Sequence, residues 1–577
     1  MSRLKTLLLF ASILVVAFGL RLYKLGDYSV FFDEQASLLV SQGVPMEGAN
    51  QPELHGKYFT PKDFWKTKTM ADYYEALNRS DIGNSPAFYF LFHFWGDWFG
   101  FSDFSARFFS LIFSVLTVWL GFRFTRKHIK SDGVALAVAL TLALEPFFIA
   151  YSHQARNYSM TFFFTLLATD IFLDIVTAKK QAPWTLFAAY AVVALIVWYC
   201  HFLAIIVIVI HGMYVLLFVR DLRIWVGLGL AVLVPVAGMV WWMSPGKGGE
   251  YTLHTLAYQA KLYKTVAYTQ PSEMVNPATV PNVWKKLAPI LADQFWVSNG
   301  LAGRLAGARN WAICGAVTLL GAFCIWRYRK TEALVWPTIA VLALAGSLFV
   351  YTVNPFGYLV FQASLLLLSV FAGYFLSHRA ERPMLVFFLL LTFVPTAVLV
   401  LMSFKNDHTF GLTQRYGGFS FPYAIILITL TLKECRILPV WEKGILVAAG
   451  IVQLIWLGTV LESIYEDRSP KYTYRSEPRT ANPWKNTAEK ITKLYAPGDT
   501  IIYPNSNTAA GYGAADEYTR DIPVKILDAQ LVNLYLPRQA MYWQRVDPLE
   551  RDKVYLWQKS TGKRILLFDF EGTKYRY

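Results

Sequence analysis

TLLLFASILVVAFGL, residues 6–20, is an unbroken apolar run, and shortly after it stands FFDEQASLL, residues 31–39. With Arg3 and Lys5 ahead of it, the run reads as a membrane helix whose N-terminus lies in the cytoplasm. A cleaved signal ending at Ala17-Phe18-Gly19 is the alternative. The polar cluster just beyond favours an uncleaved helix, because it reads as a working group rather than a mature N-terminus. Adjacent carboxylates at a membrane surface are costly to desolvate, so Asp33 and Glu34 need a partner or a task. They could take a proton from a hydroxyl or help hold a divalent cation. The plainer account is a helix cap or a solvated loop.

The rest of the chain has the same character. Its 577 residues are 55% hydrophobic and only 16% charged, with mean hydropathy +0.36. A soluble chain carries about 25% charged residues, so this one has too few to cover soluble domains. Long continuous runs favour helices over the alternating pattern of a membrane barrel. The net charge of +15 sits largely in short basic loops between the runs. No nucleic-acid motif accompanies it. Cys200, Cys314, Cys324 and Cys435 lie in or beside apolar runs without metal-like spacing, so no disulfide framework is expected.

Residues 24–103 form a first external loop. Within it, PAFYFLFHFWGDWFG (86–100) is aromatic but too short to span, and is expected to lie in the interface. Spans follow near 104–124, 133–151, 158–178, 184–200, 202–219 and 223–243. A second external loop occupies 244–308, and further spans lie near 309–327, 333–353, 356–377, 383–404, 418–433 and 443–463. Basic clusters at every second connection fix the alternation, for a total of about 13 helices. Residues 1–463 then form the membrane domain. Residues 464–577 are polar and form an external α/β domain, with a helix at Trp484–Tyr495 and strands at Thr500–Tyr503, Val524–Leu527 and Arg564–Phe568. The chain is thus expected to be a multi-pass protein of the inner (cytoplasmic) membrane, with its C-terminal domain periplasmic or extracellular.

Polar clusters gather on the external side. Asp81 and Asn84 precede Ser85-Pro86, where capping is the ordinary explanation. YSHQARNYSM (151–160) packs Tyr151, His153, Gln154, Arg156 and Tyr158 into one short connection. An arginine there is off-pattern for an external loop, and a guanidinium suits a phosphate; the alternative is snorkelling to headgroups. TQRYGGFSFP (413–422) supplies Arg415 and Tyr416, with glycines that allow close approach to a ligand or a neighbouring helix. His201, at a helix end, is more simply structural. Together these residues suit a membrane site for a phosphorylated, partly apolar substrate.

The ordered set resembles the GT-C glycosyltransferases, in the family that groups bacterial relatives of the protein O-mannosyltransferases with the lipid A aminoarabinose transferases. Asp33-Glu34 matches the acidic motif after the first helix, and SDFSARFFSLIFSVLTV (102–118), with Arg107, resembles the second helix. Tyr151–Tyr158 and Arg415-Tyr416 resemble two later motifs. The chain departs from the family at Asn84-Ser85-Pro86, where His-Pro-Pro is usual, and at His153-Gln154, where Gln-Glu is common.

The resemblance implies inverting transfer of one sugar from a polyprenyl-phosphate donor to a lipid, glycan or protein acceptor. Asp33 would be the base and Glu34 its support; Arg156, Tyr158, Arg415 and Tyr416 would bind the donor phosphate. Asp81, Asn84, Arg107, His153, Gln154 and His201 would line the donor or acceptor site. No cofactor is called for, and a divalent cation on Asp33 and Glu34 stays open. A surface-polysaccharide polymerase or ligase is the rival enzyme class. A transporter, supported best by Asp170 and Asp174, is the non-enzymatic rival.

Overall fold

The computed structural model describes residues 2–571 and 573, except 47–50, 52–53, 55, 179–180, 273, 295–381, 435, 437–439, 469–478 and 506–525. Helix α1 (Arg3–Leu22) leads into α2 (Phe32–Val40), and the first large loop continues through α3 (Pro61–Phe64), α4 (Met70–Asp81) and α5 (Pro86–Phe99). Then come α6 (Asp103–His128), α7 (Asp132–Leu144), α8 (Pro146–Ser152), α9 (Tyr158–Val176), α10 (Trp184–Cys200), α11 (Ile205–Phe218) and α12 (Leu222–Trp242). The second large loop holds α13 (Thr252–Thr269) and α14 (Val280–Gln294). Helices α15 (Arg382–Asn406), α16 (Gln414–Gly417), α17 (Phe421–Glu434) and α18 (Val440–Tyr465) complete the helical part.

Among the described residues, α1, α6, α9, α12 and α15 are long and apolar enough to cross a membrane. The α7–α8 pair, bent by 53°, makes a sixth if it counts as one span, while α10 and α11 are apolar but shorter. The chain therefore has the helices of a multi-pass membrane protein. The spans expected near 309–327, 333–353 and 356–377 lie outside the described residues, so the total of about 13 is not established.

Local chemistry sets the helix ends that matter for the site. Ser102 caps α6 by accepting from the Ser105 amide at 3.0 Å, and Arg126, Lys127 and His128 sit in the last turn against the helix dipole. Pro86 starts α5, whose inner face buries Phe88, Tyr89, Phe92 and Gly96 while Leu91, Phe94 and Trp98 face outward. At ~1.5 Å per residue this helix is too short for a bilayer and suits an interface. The break between α7 and α8 is held by Arg21, fully buried, which donates to Leu142 O (3.0 Å), Ala143 O (2.9 Å) and Ser114 Oγ (2.7 Å). Those two carbonyls end α7 and would otherwise lack partners.

The C-terminal domain contains α19 (Pro483–Leu494), α20 (Leu527–Asn533) and a four-stranded sheet ordered β2-β1-β3-β4. The strands are β1 (Thr500–Pro504), β2 (Trp543–Asp547), β3 (Lys553–Trp557) and β4 (Arg564–Asp569). Strand β1 runs parallel to β2 and antiparallel to β3, which pairs antiparallel with β4. The expected helix and the strands at 500–503 and 564–568 are present. The strand expected at Val524–Leu527 is not: its first residues lie outside the described set, and Leu527 opens α20. The sheet is tied to the first large loop by paired bonds between Phe59 and Gln544 (3.0 and 2.8 Å) and by Trp65 Nε1 donating to Asn533 O (3.0 Å). Phe64 and Leu39 share one apolar core with Trp484 and Ile501.

Gly83 leads into α5 with φ +69°, and a Cβ there would overlap the Gly248 carbonyl oxygen. Gly100, at φ +71°, has open space at the same position. With ψ 168° Gly100 lies in a backbone region essentially confined to glycine, so Gly100→Val should cost about 1–3 kcal/mol of backbone strain alone, whereas Gly83→Val, which adds the overlap, should lower the melting temperature in detergent more. Equal losses would show that the Gly83–Gly248 contact does not constrain the loop.

Candidate functional site

Asp33 and Glu34 fall in the first turn of α2, where consecutive side chains diverge by about 100°. Glu34 turns inward and is fully buried. Its Oε1 accepts from Arg107 Nε (2.8 Å) and the Ala155 amide (2.9 Å); its Oε2 accepts from Arg107 Nη2 (2.8 Å), the Phe31 amide (3.0 Å) and Arg479 Nη1 (3.3 Å). Burial pushes its carboxyl up, but Arg107 and Arg479 outweigh this and hold it below the usual carboxylate range. Arg107 spends its remaining donors on the carbonyls of Leu25, Tyr28 and Ser29.

Asp33 turns the other way and is about a quarter exposed, its Oδ2 held by Arg415 Nη1 at 2.9 Å. Arg415 comes from α16 and lies over the ring of its neighbour Tyr416, 4.9 Å from the centroid. Arg156, from the loop between α8 and α9, donates to Asp81 Oδ1 (3.2 Å), Tyr89 OH (3.0 Å) and Ser37 Oγ (3.3 Å). Tyr89 in turn donates to Asp81 Oδ2 at 2.9 Å. Burial raises Asp81, partly offset by Arg156, and burial raises the Tyr89 phenol well above its ordinary value.

Asp81 and Arg156 line a cavity of about 260 Å³ together with Tyr158, His201 and Tyr416. Leu256, Leu399, Met402 and Phe410 line it too, interspersed in sequence with Gln259, Ser403 and His408. His201 accepts from the Leu203 amide at 3.2 Å through Nδ1, and its ring lies 5.6 Å from that of Tyr416. Burial, with Arg156 and Arg415 nearby, presses His201 down to about 3, so it is neutral at pH 7. Asn84 Oδ1 accepts from the Phe202 amide at 3.1 Å, which ties the α5 entry to the cavity wall. The glycine pair after Tyr416 serves packing, since a Cβ on Gly418 would meet the Phe147 ring.

The structure thus brings together Asp81, Asn84, Arg156, Tyr158, His201 and Tyr416 on one cavity. Asp33 and Arg415 are not in its lining but touch residues that are: Arg156 donates to Asp33 O at 3.4 Å, and Arg415 lies over Tyr416. His153 and Gln154 leave this group. They line a separate cavity of about 30 Å³ with Arg107, Asp467 and Arg479, and burial lowers His153 to about 3. Sequence reasoning missed Tyr89, Asp467 and Arg479. Arg479 is clamped by Asp467 (2.9 and 2.8 Å) while reaching Glu34. Only a lone basic residue in a polar stretch marks it in the sequence.

The acidic pair does not fit a divalent cation: five donors fill Glu34, and three guanidiniums stand around the two carboxylates. Among the described residues, His128, Asp170 and Asp174 are the one cluster close enough to chelate. Lys127 and Arg123 already pair with its acids. The same pairs account for Asp170 and Asp174 without ion transport.

No family model and no curated protein matches the chain. Solved structures give distant similarities. ArnT from Cupriavidus metallidurans in the apo state is 13% identical over 86% of this chain and 82% of its own, with TM-score 0.37. The same protein bound to undecaprenyl phosphate gives TM-score 0.36 at 13% identity, covering 87% of this chain and 83% of that one. The oligosaccharyltransferase AglB from Archaeoglobus fulgidus, in complex with an inhibitory peptide and a dolichol-phosphate, is 11% identical with TM-score 0.42. That match covers 85% of this chain and 58% of AglB. At these scores what the chain does has to be argued from its own side chains.

Proposed function

We propose that the chain is an integral-membrane glycosyltransferase that moves one sugar from a polyprenyl-phosphate donor to an acceptor hydroxyl on the outer side of the cytoplasmic membrane. The observation that carries this reading is the mixed lining of the cavity. Arg156 and the phenols of Tyr158 and Tyr416 share it with Leu203, Leu256, Leu399, Met402 and Phe410. A lipid phosphate needs both at once: fixed donors for the anion, and apolar walls for the first isoprene units.

In this reaction the acceptor oxygen attacks the anomeric carbon from the face opposite the phosphate, and the configuration inverts. Asp33 takes the hydroxyl proton. One of its oxygens is engaged by Arg415, which leaves the other for the acceptor. The bond between the anomeric carbon and the phosphate oxygen breaks, and its electron pair leaves with polyprenyl phosphate. Arg156 and Arg415 meet the charge that develops there, in a site of low polarity where fixed donors act most strongly. Arg107 touches no substrate; it holds Glu34, and Glu34 holds the first turn of α2, so both are positioning residues. His201, neutral, packs beside Tyr416 and lines the same cavity.

Asp33→Asn should abolish release of polyprenyl phosphate from every donor sugar, a loss of about 10²–10⁴-fold, and should lower the melting temperature in detergent less than Glu34→Gln does, because Asp33 is partly exposed and Asn keeps an acceptor for Arg415. Glu34→Gln should behave differently. It weakens a fully buried pair and should lower stability markedly, by up to about 3–5 kcal/mol. Arg156→Gln and Arg415→Gln should each reduce turnover about 10²–10³-fold. A panel of polyprenyl-phosphate sugars, read by released lipid phosphate, checks all four. Wild-type activity in Asp33→Asn would remove it as the base. Turnover of diphosphate-linked oligosaccharides alone would assign the chain to the polymerases or ligases.

A further inference from the structure

Away from this cavity, a second and larger cleft of about 820 Å³ opens where the first large loop meets the C-terminal sheet. Its walls carry two kinds of side chain. Tyr58 and Trp543 are 58% and 44% exposed, although each could have packed its ring away from water. Lys57 and Lys62 belong to the same lining. The one acidic residue among the described lining is Asp63, and it is spent locally: its Oδ2 accepts from the Thr60 amide and hydroxyl, both at 2.8 Å. Lys57 and Lys62 outnumber it, so the described lining carries a net positive charge.

It is also rigid. The Phe59–Gln544 bond pair joins its two walls, and Trp65 is pinned by its bond to Asn533. Two guanidiniums back the rings, with Arg538 4.6 Å from the Trp65 centroid and Arg545 5.9 Å from that of Tyr58. A pre-formed cleft pays little ordering cost when it binds.

We propose that this cleft binds an anionic saccharide, one carrying carboxylate or phosphate groups. A sugar ring offers an apolar C–H face that can lie against an exposed indole or phenol. Its anionic substituents then meet ammonium groups at the same depth. The cleft's exposed rings come from separate segments and do not form the run of stacking platforms that a nucleic-acid strand uses. Calling the saccharide the acceptor rests on the transferase reading; the binding itself does not.

The test uses the full-length protein in detergent and follows tryptophan fluorescence on titration with an oligogalacturonate hexamer. Maltohexaose, a thymidine octanucleotide and phosphatidylglycerol vesicles are run alongside. Saturable binding of the oligogalacturonate is expected, at least tenfold tighter than of maltohexaose and weakening with salt. Trp543→Ala and the double variant Lys57→Ala/Lys62→Ala should each weaken it at least tenfold with unchanged melting temperature. Equal affinity for the neutral sugar, tighter binding of the octanucleotide or the vesicles, or unaltered binding by both variants would overturn the proposal. Oligogalacturonate binding without polyprenyl-phosphate release from any donor would leave the cleft standing and sink the transferase reading alone.

Discussion

The buried pair of Arg107 and Glu34 is the constraint from which the candidate site follows. Both side chains are essentially inaccessible. Taking two such charges out of water costs several kcal/mol per ion, and attraction offsets this only where every donor and lone pair is used. Here they are used. Arg107 places its five N–H groups on Glu34 and on three carbonyls of the α1–α2 connection. Glu34 adds the Ala155 amide and Arg479. Four segments distant in sequence can satisfy one another in only one register, so the pair specifies arrangement more than it adds stability.

The pair shapes the candidate site in two ways, through the helix and through the C-terminal segment. With Glu34 locked inward, α2 has to present Asp33 about 100° away, toward Arg415. Two neighbouring acids thereby acquire different surroundings, one saturated and one with an oxygen to offer. The C-terminal segment enters the same network through Arg479 and Asp467, and Asn482 donates to Asp103 in the first turn of α6 at 2.8 Å. The polar domain is thus wired to the loop that carries Asp33 rather than hung from the last helix.

Much of this was legible in the sequence, for physical reasons that also mark the limits. Membrane helices announce themselves because a bilayer demands long apolar runs. Arg156 and Arg415 stood out because cations are unusual in loops expected outside. Direction within a tight turn was not legible: His153 and Gln154 sit two or three residues from Arg156, yet line a different cavity. Asp81 looked like a cap and proves to be the counterion of Arg156. Strand β2, WQRVD, carries too few apolar residues for a clear period, whereas β3, KVYLW, hides its period because the half-buried Tyr555 and Trp557 are apolar like the buried Val554 and Leu556.

The pairing of each site arginine with a carboxylate follows from the same desolvation argument. Arg156 and Arg415 are largely buried, and a buried guanidinium without an anion would be prohibitive. Asp81 and Asp33 supply that anion. A phosphate entering the cavity brings its own charge and competes for the same donors. On the transferase reading, Arg415 turning from Asp33 toward the phosphate would release a carboxylate oxygen at the moment a hydroxyl proton has to be accepted. Donor binding and readiness of the base would then be one event, enforced by the shortage of cations rather than by any moving lid.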